Sequence, residues 1–202
     1  MNLLVIGGTR GLGRAVVVAA HGAGHTLTVM ARNAAAFAPP VTSIRTVVGD
    51  ADDQDNVERA VAGQDAVVWT VRVKRRLGEV FVLSRGTSHV IAAMRTCGVH
   101  RLVCVTGRGS AAAEGEALRP NIGSGVRDDQ ARQEALVRGS ALDWIVVRPA
   151  AMTNAAGKGL YRAMTEPPPG RARRIARADV ADFIVGNLVL TDYVHRTVFV
   201  TG

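Results

Sequence analysis

Chemistry in this sequence begins where its first apolar run ends. Leu3-Leu4-Val5-Ile6 breaks directly into Gly7-Gly8-Thr9-Arg10-Gly11-Leu12-Gly13. Glycine permits positive φ, and a missing Cβ lets a backbone approach a diphosphate closely. A helix beginning near Gly11 aims its unpaired N–H groups and the positive end of its dipole at such an anion. The spacing of Gly7, Gly11 and Gly13 is GxxxGxG. With a strand before it, a helix behind it and a second strand following, it has the context of a dinucleotide-binding turn. The competing reading is a turn that only packs the helix onto the sheet.

The elements needed to hold that turn are legible in the pattern. Leu12, Ala15, Val16, Ala19, Ala20 and Ala23 recur at helical spacing, and Gly22 and Gly24 precede a second strand at Thr26 to Met30. A third strand fits Ile44 to Val48, a helix Asp53 to Ala62, and a fourth strand Asp65 to Trp69. A helix over Val80 to Cys97 leads to a fifth strand at Leu102 to Val105. Residues 107–125 carry five glycines and no sustained period, which predicts a long functional loop. A helix over Asp128 to Arg138 and a sixth strand at Asp143 to Val147 follow. Residues 150–176 read as irregular, because Pro167-Pro168-Pro169 forbids helix there. A helix at Asp179 to Leu190 and an end strand at Thr197 to Thr201 close the series.

Strands that are almost continuous apolar runs, alternating with helices, predict an α/β fold: a Rossmann-type, doubly wound parallel sheet covered on both faces. Ligands of such sheets sit beyond the carboxyl ends of the strands, near the switch point. The loops that matter are therefore Gly7 to Gly13, Arg32-Asn33, Asp50-Ala51, Thr70 to Arg72, Thr106 to Ser110 and Pro149 to Asn154.

Bulk properties narrow the function classes. At 202 residues, 48% apolar and 21% charged, the chain reads as one globular domain over residues 1–202. No apolar run reaches the roughly 18 to 20 residues of a membrane span, and Met1 to Ile6 lack a basic leader, so a cytoplasmic location is expected. Cys97 and Cys104 show no ligand spacing, so free thiols and no metal are expected. The net charge of +8 favours anionic ligands. Its clusters at Arg72 to Arg76 and Arg171 to Arg174 lack interleaved aromatics, which argues against specific nucleic-acid binding. Nothing around any serine gives GxSxG, and His21, His25, His89, His100 and His195 are scattered.

The stretch Ile6 to Gly13 resembles the TGxxxGxG fingerprint of the short-chain dehydrogenase/reductase superfamily, with Ile6 in place of threonine. Val48-Gly49-Asp50, Val61 to Val68, Leu142 to Pro149 and Arg177 to Phe183 are similar to an atypical branch of it. That branch holds NAD(P)-binding proteins grouped with NmrA-like regulators and with biliverdin-IXβ and flavin reductases. The similarity spans nearly the whole chain.

The resemblance implies that Gly7, Thr9, Arg10, Gly11, Leu12 and Gly13 wrap a diphosphate. It places Arg32 where a basic residue meets a 2′-phosphate and an acid would instead bond the ribose hydroxyl, so NADP(H) is expected over NAD(H), with Arg10 as a second cation. Arg32 could otherwise be an exposed capping cation. Asp50-Ala51 corresponds to the adenine contact, and Asp50 could also cap the next helix together with Asp52. Thr70, Val71, Arg72, Thr106 and Pro149 complete the cofactor side. The superfamily's principal branch shuttles a proton through YxxxK, which neither Tyr161 nor Tyr193 provides. The reductases' serine and histidine positions fall on Gly107 and Ala151. Thr106 and Ser110 remain as weak catalytic candidates. The expected function is an NADPH-dependent oxidoreductase passing hydride to a small flat acceptor of flavin or quinone type, as a monomer or homodimer. A non-catalytic NADP-sensing regulator is the alternative.

Overall fold

The computed structural model describes residues 1–33, 43–73, 81–107, 124–170 and 172–202. In chain order its elements are β1 (Asn2–Ile6), α1 (Gly11–Gly22), β2 (Thr26–Ala31), β3 (Arg45–Val48), α2 (Gln54–Val61), β4 (Ala66–Trp69), α3 (Val82–Cys97) and β5 (Arg101–Val105). They continue with α4 (Ser124–Arg138), β6 (Asp143–Pro149), β7 (Met152–Thr153), β8 (Arg162–Met164), β9 (Ile175–Ala176), α5 (Arg177–Gly186) and β10 (Arg196–Thr201). Among the described residues an eight-stranded sheet runs in the order β3-β2-β1-β4-β5-β6-β10-β8, parallel except for β8 at the edge. The order reverses between β1 and β4, so the switch point lies directly beyond Ile6 and Trp69, which are paired.

Period-two alternation decides what each strand does. Leu3 and Val5 face the layer of α1 and α5, while Leu4 and Ile6 face the layer of α2, α3 and α4. On β6, Ile145 and Val147 face the first layer, and Trp144 and Val146 the second. Each such Leu, Ile or Val is worth about 1.5–3 kcal/mol of apolar burial, which is why both faces of the sheet read as apolar in sequence. On α1 the buried residues Leu12, Gly13, Val16, Val17 and Ala20 form one stripe at helical spacing.

Most boundaries fall within two residues of the expected ones; two helix ends and one segment differ more. α4 starts at Ser124, four residues before Asp128, because a glycine such as Gly125 is tolerated in a first turn that makes few internal hydrogen bonds. α5 ends at Gly186 rather than Leu190: the Asn187 side chain donates to the Phe183 carbonyl at 2.7 Å and closes the helix. The segment 150–176, expected to be irregular, holds three short strands. β7 pairs with β9, and β8 runs antiparallel to β10. Pairs of two or three residues are too short to leave an alternating pattern.

The buried stripe of α4 is unusual in being largely polar: Val126, Asp129, Gln133, Glu134 and Val137. Asp129 explains how α3 begins. Phe81, at the N-cap position of α3, offers no side-chain acceptor, and the carboxylate of Asp129 takes the role from the neighbouring helix. It accepts from the Leu83 N–H at 2.8 Å, the Ser84 N–H at 3.1 Å and the Ser84 hydroxyl. Gln133 adds a donated bond to the Thr87 hydroxyl at 2.8 Å. Asp129→Ala would leave buried N–H groups unsatisfied and should destabilise the protein by on the order of 3 kcal/mol. Urea unfolding reads this directly, and a loss under about 0.5 kcal/mol would contradict the capping role.

Candidate functional site: a glycine cradle at the switch point

The turn between β1 and α1 is built for close approach. Gly7 has φ +89°, and a Cβ there would lie 2.9 Å from the Thr70 hydroxyl oxygen and 2.9 Å from the Val71 nitrogen. At Gly13 a Cβ would sit 2.1 Å from the Gly7 carbonyl oxygen and 2.5 Å from the Thr70 hydroxyl. Neither position accepts a side chain. Thr70 is buried, and its hydroxyl and N–H both donate to the Ile6 carbonyl, at 3.0 and 2.9 Å. Thr70 therefore forms the wall against which both glycines rest. Leu12 is a core residue, 5% exposed, whereas Thr9 is half-buried and Arg10 exposed.

The first turn of α1 carries no acidic residue, and its N-cap, Arg10, makes no side-chain capping bond. The helix start is thus a set of backbone donors beside side-chain-free glycines, and it suits a diphosphate through backbone contacts alone. Cations stand around it. Arg32 is exposed two residues past Met30, which pairs with Ile6; Arg72 is exposed three residues past Trp69. Val71, between the cradle and Arg72, is half-buried.

Asp50 and Ala51 follow β3. One carboxylate oxygen of Asp50 accepts from the Asp52 N–H at 3.2 Å, closing a local turn, and the residue stays exposed. The cap of α2 is neither Asp50 nor Asp52 but Asp53, whose side chain accepts from the Asn56 N–H at 3.1 Å. An N-cap residue stands directly before the first helical residue, here Gln54, a place that only Asp53 holds. Asp52 instead pairs with Arg85 of α3 at 3.1 Å. Ala51 packs toward Gly86 of α3, and its carbonyl meets His89 Nδ1 at 3.1 Å.

Beyond β5 and β6 the polar groups are tied to one another. Thr106 is buried and gives its hydroxyl proton to Glu134 at 2.6 Å. Arg148 and Glu134, 5% and 3% exposed, form a two-bond ion pair, with Arg148 Nε donating to Glu134 at 3.0 Å. Arg138 adds a third donor to the same carboxylate at 3.1 Å. Glu134 and Arg148 were not singled out from the sequence; charged residues inside an apolar strand and on the inward stripe of a helix were the available signal. Gln130 of α4 faces Gly107, where a Cβ would lie 3.0 Å from its Oε1, and that oxygen is buried without a partner among the described residues. Pro149 is the buried last residue of β6. Ser110 lies outside the described residues. Tyr161 donates to Asp182 at 2.9 Å; burial, reinforced by that bond, pushes the phenol up to about 12, far from a proton shuttle near neutrality.

A cavity of about 490 Å³ sits at the carboxyl end of the sheet's other edge, lined by Tyr161, Met164, Pro168, Arg173 and Thr201 among others. Four strand spacings separate it from the switch point, roughly 20 Å, so it is not the nucleotide cradle. Its walls come mostly from the 150–176 segment, with Thr201 and Gly202 at the end of β10; most of the 107–125 segment lies outside the described residues. Among the described residues no helix is long and apolar enough to cross a membrane.

A parallel sheet with a glycine cradle at its switch point defines a Rossmann-fold nucleotide-binding protein. A model of the NAD(P)H-binding family matches residues 7–189, and the chain belongs to that family. Solved structures share the fold. A Rossmann-fold NAD(P)-binding family protein from Shigella flexneri is 22% identical, with a TM-score of 0.78 over 99% of this chain and 92% of that one. An oxidoreductase from Lactococcus lactis is 18% identical, TM-score 0.82, over 100% and 91%. A short-chain dehydrogenase/reductase from Veillonella parvula, in complex with NADP, is 13% identical, TM-score 0.82, over 100% and 94%.

The buried charge cluster gives a stability test. Glu134→Gln strands the Arg148 guanidinium and should cost about 3–5 kcal/mol. Thr106→Val removes one donor and should cost about 1 kcal/mol. Chemical denaturation that ranks the two variants the other way would contradict the arrangement.

Proposed function

We propose that the protein is an NADPH-dependent oxidoreductase that delivers hydride to a small, flat acceptor of flavin or quinone type, acting as a monomer or homodimer. The observation that carries this reading is the cradle: glycines that exclude side chains, an uncapped helix start, and arginines around it. When bound, the nicotinamide supplies the hydride. The backbone of Gly7 to Gly13 binds the diphosphate, Arg32 with Arg10 takes the 2′-phosphate, and Asp50-Ala51 lies on the adenine side. Val71, Arg72, Thr106 and Pro149 border the nicotinamide side.

The choice of acceptor follows from what the side chains can donate among the described residues. The Thr106 proton is committed to Glu134 and the Tyr161 phenol to Asp182. A flavin or quinone suits such a site, because hydride transfer to it depends on holding two rings face to face, with the accompanying proton taken from water. The same committed hydroxyls favour a second reading, a sensor that binds NADP without turnover.

Two measurements separate these. Steady NADPH oxidation with a panel of flavins and quinones supports the enzyme; tight binding with no turnover supports the sensor. Arg32→Asp should weaken NADPH by roughly ten-fold or more, the worth of a charge-assisted contact, while NADH changes little in calorimetry. Equal losses for both would show that Arg32 does not read the 2′-phosphate.

A further inference from the structure

Arg177 is the first residue of α5, the helix that packs against α1. A Cβ on Gly11 would lie 3.8 Å from its Nε, and Gly11 opens α1. Arg177 is half-buried as a residue, and its guanidinium donates through one terminal nitrogen to Asn154, a neutral amide just past β7, in an exposed hydrogen bond. It pairs with no carboxylate among the described residues. The nearest acid in sequence, Asp179, accepts instead from the Lys158 and Gly159 N–H groups at 2.7 and 2.9 Å. Asp182 is bonded to Tyr161.

This placement is electrostatically unfavourable in the free protein. A cation sits beside the N-terminus of α1, whose end is positive; at the start of its own helix the first-turn acid Asp179 offsets part of the charge, although its Oδ1 is taken by the Lys158 and Gly159 N–H groups. The first turn of α1 has no acid to offset it. Folding that brings a guanidinium and a helix start together, with the guanidinium anchored sideways by an amide, makes sense when an anion completes the site between them.

We infer that Arg177, held by Asn154, is a clamp on the diphosphate, opposite the backbone donors of the glycine turn. The inference rests on the cofactor reading above and assigns Arg177 a role distinct from that of Arg32. The clamp grips the part common to all nicotinamide dinucleotides, so it strengthens binding without choosing between them.

Calorimetry of wild type, Arg177→Gln and Arg177→Lys with NADPH, NADH and ADP-ribose tests it. Arg177→Gln should weaken all three by a common factor of about 10 to 100, the range of a charged hydrogen bond. Arg177→Lys should fall between it and wild type. Asn154→Ala, which keeps the charge and removes only its anchor, should show the same pattern at a few-fold and serves if the Arg177 variants do not fold by circular dichroism. Unchanged affinities, a loss confined to NADPH, or a loss that spares ADP-ribose would each overturn the clamp while leaving the cofactor reading intact. Wild-type protein that binds none of the three would overturn both.

Discussion

The close contact between Gly13 and the Gly7 carbonyl is the constraint on which the site depends. It lets α1 press against the end of β1, so the helix begins directly above the switch point with its N–H groups facing outward. A β-carbon at Gly13 would push the helix away and fill the turn. Thr70 fixes the same contact from β4, since its hydroxyl and N–H both end on the Ile6 carbonyl. Strand pairing and turn conformation are therefore one packing event.

Around this apolar and backbone-made core, charge is divided into two kinds. Glu134 and Arg148 are buried against each other and Asp129 is buried on the start of α3, so together they fasten α4 to β6 and α3. Arg10, Arg32 and Arg72 are exposed, with Arg177 half-buried, all at the carboxyl end of the sheet. The first group specifies how helices dock; the second leaves positive potential where the strands end. A chain of net charge +8 thus concentrates part of its excess where an anion would bind.

Much of this was legible in the residues. Continuous apolar runs at Leu3–Ile6 and Ala66–Trp69, interleaved with helical stripes, could only belong to a parallel sheet with both faces covered, and the glycine spacing marked the switch point. What escaped was long-range. Asp129 caps α3 through the Leu83 N–H, 46 residues earlier, and Thr106 meets Glu134 across 28 residues. Local pattern carries no record of such pairings. Arg177 falls in the same class: it stood in a stretch recognised for its family likeness, yet only the packing of α5 against α1 brings it to Gly11. The short strands inside 150–176 left no period to detect.

The central claim is that the outward N–H groups of the turn are the diphosphate site. Amide hydrogen exchange over Gly7 to Gly13, measured with and without saturating NADPH, tests it most directly. The account predicts marked slowing in that peptide, with the protein otherwise little changed outside the strand-end loops. Exchange in that segment that is indifferent to the nucleotide, while binding is evident by another method, would contradict it.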